Sequence, residues 1–122
     1  MNIAIVGATG NVGRKTLEVI EKKNFKFDNL YLVASQKSAG KKISFKNKDY
    51  LVENLETYDF SKANITFFAA GGKISEKYAE KAAEHTTVID NSSFFRMDPD
   101  VPLIVPQVNG SEVKKMKKNI IA

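Results

Sequence analysis

The chain has 122 residues, about one domain, and its 43% hydrophobic residues are enough for a core. It has no cysteine and one histidine, which excludes disulfides and Cys- or His-rich metal sites, so no metal is expected. The net charge is +5, but the lysines alternate with acids, which favours a solvated surface that attracts anionic ligands over nucleic-acid binding. No apolar run approaches the roughly 18 residues of a membrane span. The chain runs directly into a strand without a signal peptide, so a cytoplasmic location is expected.

The chain opens on a strand, a glycine turn and a helix. Asn2–Val6 is an apolar run typical of a buried strand, and Gly7–Gly13 has the spacing Gly-x-x-Gly-x-x-Gly. A helix is predicted from about Asn11 to Lys23, with an apolar face formed by Val12, Leu17, Val19 and Ile20. This order of elements predicts the first unit of a dinucleotide-binding sheet.

Each glycine of the turn has a predicted role. Gly7 can adopt backbone angles that a side chain would forbid. Gly10 leaves room for a pyrophosphate, and Gly13 lets the helix lie close to the strand. The free N–H groups at the helix start would then face the anion. The spacing alone leaves open a glycine turn that binds nothing.

The second strand decides between two cofactors. Leu30–Ala34 is a near-continuous apolar run, as expected for a parallel strand buried on both faces. An NAD-binding fold would place an acid near its end, to bind the ribose hydroxyls. No acid occurs in residues 35–40, whereas Ser35, Lys37 and Ser38 can bind a 2′-phosphate. The sequence therefore favours NADP over NAD, the alternative being an ordinary polar loop.

The middle of the chain predicts smaller elements and another buried strand. Lys42–Phe45 and Tyr50–Glu53 flank a turn at Asn47–Asp49 and predict a hairpin or two edge strands. Ile65–Ala69 is the next buried strand. A helix should follow it, with Ser75 capping or lining its first turn and with a buried side formed by Ile74, Tyr78, Ala82 and Ala83.

Polar and small residues follow two of the strands. Ala70, Gly71 and Gly72 come after the strand that begins at Ile65, and small residues there would let a ring or ribose lie against the backbone. Thr87–Ile89 is a strand that leads into the polar segment 90–96. Arg96 in that segment could bind a carboxylate or phosphate, or could be a surface residue.

Strands that alternate with helices predict an α/β fold. We expect a Rossmann-like, doubly wound and mostly parallel sheet with helices on both faces. Ile120 and Ile121 are expected to open a further strand.

The chain resembles the aspartate-semialdehyde dehydrogenases over nearly all of its length. The resemblance lies in five segments in the family's order, namely Val6–Gly13, Ser35–Gly40, Ala70–Gly72, Asp90–Arg96 and Pro99–Asn109. It implies an NADPH-dependent reduction of β-aspartyl phosphate to aspartate semialdehyde with release of phosphate. This step serves lysine, diaminopimelate, methionine and threonine biosynthesis, in a cytoplasmic enzyme that is a homodimer at full length.

The resemblance also implies roles for residues. The family's pyrophosphate turn falls on Thr9, Gly10, Asn11 and Val12, its 2′-phosphate contacts on Ser35, Lys37 and Ser38, its nicotinamide-side residues on Ala70, Gly71 and Gly72, and its phosphate-binding residues on Arg96 and Asn91. Two departures are Lys37 and Gln107, where the family often has arginine and glutamate.

The family's nucleophile is a cysteine that falls beyond Ala122. Residues 1–122 are therefore expected to be an NADP-binding domain without the catalytic and dimerisation domain, inactive alone and with no catalytic residue of its own. Two alternatives remain open. One is the related N-acetyl-glutamyl-phosphate reductase, against which the segment 90–96 argues. The other is a non-catalytic NADP-binding or redox-sensing domain.

Overall fold

The computed structural model describes residues 1–91 and 120–121. Its elements, in chain order, are β1 (Asn2–Val6), α1 (Asn11–Lys22), β2 (Asn29–Ala34), β3 (Lys42–Phe45), β4 (Lys48–Leu51), β5 (Glu53–Asn54), a 3-10 helix (Phe60–Lys62), β6 (Ile65–Phe68), α2 (Gly72–Ala83), β7 (Thr87–Asp90) and β8 (Ile120–Ile121). The predicted features that fall between residues 92 and 119 lie outside the described residues.

Six strands form one sheet in the order β5-β2-β1-β6-β7-β8. Each pair of neighbours in it is parallel. The predicted strand at Ile120 is confirmed, since it pairs with β7. The predicted Rossmann-like sheet is confirmed as well.

Within the described residues, α1 and α2 cover opposite faces of the sheet. Residues 3–6 of β1 are fully buried, and successive side chains alternate between the faces. Ile3 and Ile5 pack in the cluster that contains Leu17 of α1. Ala4 and Val6 pack in the cluster that contains Ala79 of α2. Because the central strand is buried on both faces, its sequence is a continuous apolar run.

The predicted apolar face of α1 is wrong at two positions. Leu17 and Ile20 are buried with Gly13, but Val12 and Val19 are 42% and 50% exposed. The helix lies over β1 and β2, and only the stripe that faces these strands is buried. Val12 and Val19 point to the side, where they line an open groove beside Phe67 and Ile89 of the sheet.

The hairpin forms with different bounds from those predicted. Its turn consists of Lys46 and Asn47, both with positive φ (50° and 64°), and Lys48 already pairs with Phe45. A two-residue turn with positive φ at both positions matches the twist of the two strands. The hairpin therefore forms this turn and not the predicted three-residue loop. Glu53 leaves the hairpin and pairs with Val33 at the sheet edge.

The first turn of α2 departs from one of the two predictions made for Ser75, which was expected to cap the helix or to line its first turn. The residue before the helix is Gly71, which makes no side-chain capping bond. Ser75 does not cap the helix; its hydroxyl donates to Asp90 instead. The predicted buried side is otherwise confirmed, since Ala82 is buried and Ile74, Tyr78 and Ala83 pack against the core.

Gly13 is expected to contribute to stability because it leaves room for the backbone of the glycine turn. A Cβ on Gly13 would lie 2.2 Å from the carbonyl oxygen of Gly7, whereas one on Gly10 would lie 3.5 Å from the same atom. We expect Gly13→Ala to lower the free energy of unfolding by about 2–3 kcal/mol, because backbone must move to admit the methyl group. Gly10→Ala is the matched control and should cost less than about 1 kcal/mol. Urea unfolding of both variants measures the difference, and equal losses would contradict the packing argument.

Tyr58 has a buried hydroxyl and belongs to the hydrophobic cluster that contains Ala79 of α2. Its side chain packs edge-on against Phe60, with ring centroids 5.3 Å apart. The hydroxyl has no hydrogen-bond partner among the residues that the structure describes. Burial, followed by the negative charge of Glu53, raises the pKa of Tyr58 well above its usual range.

This shift predicts an alkaline dependence of stability. Because the folded chain keeps Tyr58 protonated, this group makes stability independent of pH below the pKa of an unfolded tyrosine, about 10, and lowers stability as pH rises above it. Tyr58→Phe should leave stability unchanged or raise it by up to about 1 kcal/mol at pH 7. It should also flatten the decline above pH 10. Urea unfolding at pH 7 and at pH 10.5 tests this, and parallel declines in both proteins would refute it.

Candidate functional site

The glycine loop lies at the centre of the sheet's carboxyl edge. It follows β1, from which the chain continues to β2 on one side while β6 pairs on the other side. Ligands of open α/β sheets bind at such a switch point. Gly7 has a φ of +88°, and a Cβ on it would lie 2.7 Å from the carbonyl oxygen of Ala69. Its predicted unusual backbone angle is thus observed, together with a close approach that sequence reasoning missed.

The loop presents the start of α1. Gly10 is the residue before the helix, has no side chain to cap it, and accepts a hydrogen bond from Arg14 N–H at 3.0 Å. The N–H groups of the residues that precede Arg14 have no partner within the helix. The first turn contains no acid, and Gly10, Asn11 and Val12 are exposed. This helix start is therefore suited to an anion.

The loop after β2 lies against the glycine loop. The hydroxyl of Thr9 donates to that of Ser38 at 3.3 Å. A tight turn forms here, in which the N–H groups of Ser38 and Ala39 both donate to the carbonyl oxygen of Ser35, at 2.9 and 3.0 Å. Ser35 and Lys37 are exposed and Ser38 is half-buried. The structure thus brings together the two predicted phosphate-binding regions.

A cavity of about 220 Å³ connects these regions with the turn after β6. Among the residues predicted from sequence, Gly7, Thr9, Ser35 and Ala70 line it. Leu55 and Ile74 are further lining residues that sequence reasoning did not assign to the site. Ile74 carried a signal, since it was predicted on the helix that follows the turn. No sequence signal marked Leu55. It reaches the cavity because its N–H donates to the carbonyl oxygen of Ala34 at 2.8 Å, a contact between residues that are distant in the sequence.

The turn at residues 70–72 has the backbone form that its glycines predict. Gly71 has a φ of +92°, and a Cβ on it would meet nothing within 4 Å, so conformation rather than space requires glycine there. Ala70 and Gly71 are exposed and Gly72 is half-buried. The turn is therefore accessible to a ligand in the neighbouring cavity.

Asn91 lies at the end of β7, on the same sheet edge. It is exposed, and its N–H donates to the carbonyl oxygen of Phe68 at 2.9 Å. Asn91 lines the same groove as Val12 and Val19 of α1, which has a volume of about 320 Å³. Arg96, its predicted partner, lies outside the described residues.

The part of the chain that the structure describes contains neither a metal-binding cluster nor a membrane-spanning helix. Within residues 1–91 and 120–121, no group of three or more His, Cys, Asp or Glu side chains could hold a metal ion. Over the same residues, no helix is long and apolar enough to cross a membrane.

Comparison with known proteins identifies the family. The family model described as "Semialdehyde dehydrogenase, NAD binding domain" matches residues 2–116. The chain belongs to this family. The predicted resemblance to aspartate-semialdehyde dehydrogenases is confirmed, since the enzyme of that name from Aquifex aeolicus is 52% identical over 118 residues. Aspartate-semialdehyde dehydrogenase 2 from Vibrio cholerae is 47% identical over 123 residues.

The chain spans only part of these relatives. The alignments cover 95% and 99% of the chain but 35% and 36% of the Aquifex and Vibrio proteins. Aspartate-semialdehyde dehydrogenase II from V. cholerae, solved in complex with ASA, superposes with a TM-score of 0.92 at 47% identity, over 99% of this chain and 40% of that one. The Candida albicans enzyme, solved with NADP, gives a TM-score of 0.74 at 28% identity, over 93% and 35% of the two chains.

Proposed function

We propose that residues 1–122 form the NADP-binding domain of an aspartate-semialdehyde dehydrogenase. One observation carries the proposal, namely the contact between Thr9 and Ser38. It joins a helix start suited to an anion to a loop without carboxylates, and Thr9 and Ser35 of these two regions line the same cavity. The C. albicans relative, whose structure contains NADP, supports the same cofactor.

We infer a separate place for each of three parts of the cofactor. The pyrophosphate lies at the start of α1, on residues 9–12 after Gly7. The 2′-phosphate lies on Ser35, Lys37 and Ser38, whose hydroxyl and ammonium groups can donate to it. The nicotinamide side lies along the turn at residues 70–72, where no side chain beyond Cβ keeps a ring from the backbone.

We further propose the reaction of the whole protein. The V. cholerae relative was solved with ASA, which supports aspartate semialdehyde as the product of β-aspartyl phosphate reduction. Asn91 and Arg96 would bind the substrate or its phosphate. The step would belong to amino-acid biosynthesis, specifically of lysine, diaminopimelate, methionine and threonine, in a cytoplasmic homodimer.

Of the alternatives, neither gains support. The relatives are named as aspartate-semialdehyde dehydrogenases, which does not favour an N-acetyl-glutamyl-phosphate reductase. A non-catalytic sensor is likewise not favoured by relatives that are named as enzymes.

The cofactor preference can be reversed at one position. Ser35→Asp places a carboxylate beside the proposed 2′-phosphate, so NADP affinity should fall about tenfold or more through charge repulsion. NAD affinity should stay within about twofold or improve, because the new acid can bind the ribose hydroxyls. Calorimetric titration of the 122-residue chain with both cofactors measures this.

The control is Ser44→Asp, which adds the same charge at an exposed position of β3. It should leave both affinities unchanged. Wild-type binding of NAD as tight as that of NADP would contradict the cofactor assignment, and so would an unaltered NADP affinity in Ser35→Asp.

The isolated chain should bind the cofactor without turning it over. Its sequence contains no cysteine, so it cannot form the thioester through which the family's reaction proceeds. We expect no rise in absorbance from NADPH when the chain is mixed with aspartate semialdehyde, phosphate and NADP. Phosphate-dependent NADPH formation by this chain would refute the assignment of catalysis to residues beyond it.

A further inference from the structure

A buried hydrogen bond joins α2 to β7. The hydroxyl of Ser75 donates to Oδ1 of Asp90 at 2.8 Å, and the two residues are 0% and 3% exposed. A hydrogen bond to an ionised group is stronger than a neutral one, and away from solvent it is screened less. Burial of an acid is costly without a hydrogen-bond partner, and the Ser75 hydroxyl provides one for Asp90.

On the helix side, Ser75 is bonded to the turn before α2. Its N–H donates to the carbonyl oxygen of Gly71 at 3.2 Å. Gly71 is the residue with φ of +92° that directs the chain from β6 into the helix. One residue therefore anchors the turn through its backbone and β7 through its side chain.

On the strand side, Asp90 is bonded into the end of the sheet. It is the last residue of β7 and lies opposite Phe68, the last residue of β6. The next residue, Asn91, donates its N–H to the carbonyl oxygen of Phe68 at 2.9 Å. The Ser75–Asp90 bond thus fixes the turn at residues 70–72 relative to Asn91.

We propose that Ser75 and Asp90 are positioning residues for the nicotinamide half of NADP. Both are buried, so they act through the turn at residues 70–72 and through Asn91. Their bond keeps these two parts of the sheet edge at the separation that the ring and the substrate require. The inference rests on the proposed NADP binding.

The test compares two ligands in the Ser75→Ala chain. NADP occupies both halves of the proposed site, whereas 2′,5′-ADP carries the 2′-phosphate without the nicotinamide. We expect Ser75→Ala to weaken NADP binding about fivefold and 2′,5′-ADP binding less than twofold. A general loss of structure would weaken both ligands together.

Two further variants complete the design. Ser61→Ala removes another serine–aspartate hydrogen bond, the exposed contact of 2.6 Å with Asp59, and should change neither affinity. Asp90→Asn keeps an oxygen that can accept from Ser75, so its loss of NADP affinity should be smaller than that of Ser75→Ala. If Ser75→Ala does not fold, the nearly isosteric Ser75→Cys, a weak donor, replaces it with the same expected selectivity between ligands.

The outcomes separate the two proposals. Equal weakening of both ligands, or unchanged NADP binding in a folded Ser75 variant, overturns the positioning role while wild-type NADP binding stands. A wild-type chain that binds neither ligand overturns the proposed function, and the positioning role with it.

Discussion

The close approach of three backbone segments at Gly7 is the constraint on which the site depends. A Cβ on Gly13 would lie 2.2 Å from the carbonyl oxygen of Gly7, and a Cβ on Gly7 would lie 2.7 Å from the carbonyl oxygen of Ala69. The loop, the helix and the end of β6 can therefore meet only if Gly7 and Gly13 lack side chains. Because they meet, the start of α1 opens directly onto the crevice between β1 and β6. A loosening of this contact would move the helix start, the proposed pyrophosphate site and the turn at residues 70–72 together.

The carboxyl edge of the sheet has few acidic residues where the proposed phosphate sites lie. The helix start has no acid in its first turn, and residues 35–40 contain a lysine and no carboxylate. Asp90, the last residue of β7, is buried and bonded to Ser75. Along the helix start and residues 35–40, an anionic ligand would thus meet hydroxyls, N–H groups and one lysine.

Much of the fold was predictable, because strong local patterns decided it. The runs at Asn2–Val6 and Leu30–Ala34 have the composition of strands buried on both faces, and both pair at the sheet's centre. Errors arose where the pattern was ambiguous. Val12 and Val19 belong to a second apolar stripe of α1, and periodicity does not tell which stripe the sheet covers. The predicted position of the hairpin turn was wrong because Lys46, which is not a typical turn residue, adopts positive φ beside Asn47.

The amino-acid sequence by itself determined the order of strands and helices, the glycine positions and the absence of an acid after β2, since each of these depends on residue type and local spacing. It also carried the family resemblance that the comparisons confirm. Only the tertiary structure decided which distant residues meet: Thr9 with Ser38, Leu55 with the cavity, and Ser75 with Asp90. These contacts join positions up to tens of residues apart, and they exist because parallel strands bring their carboxyl ends to one edge. No local pattern specifies such a meeting, because it is the sheet order that creates it.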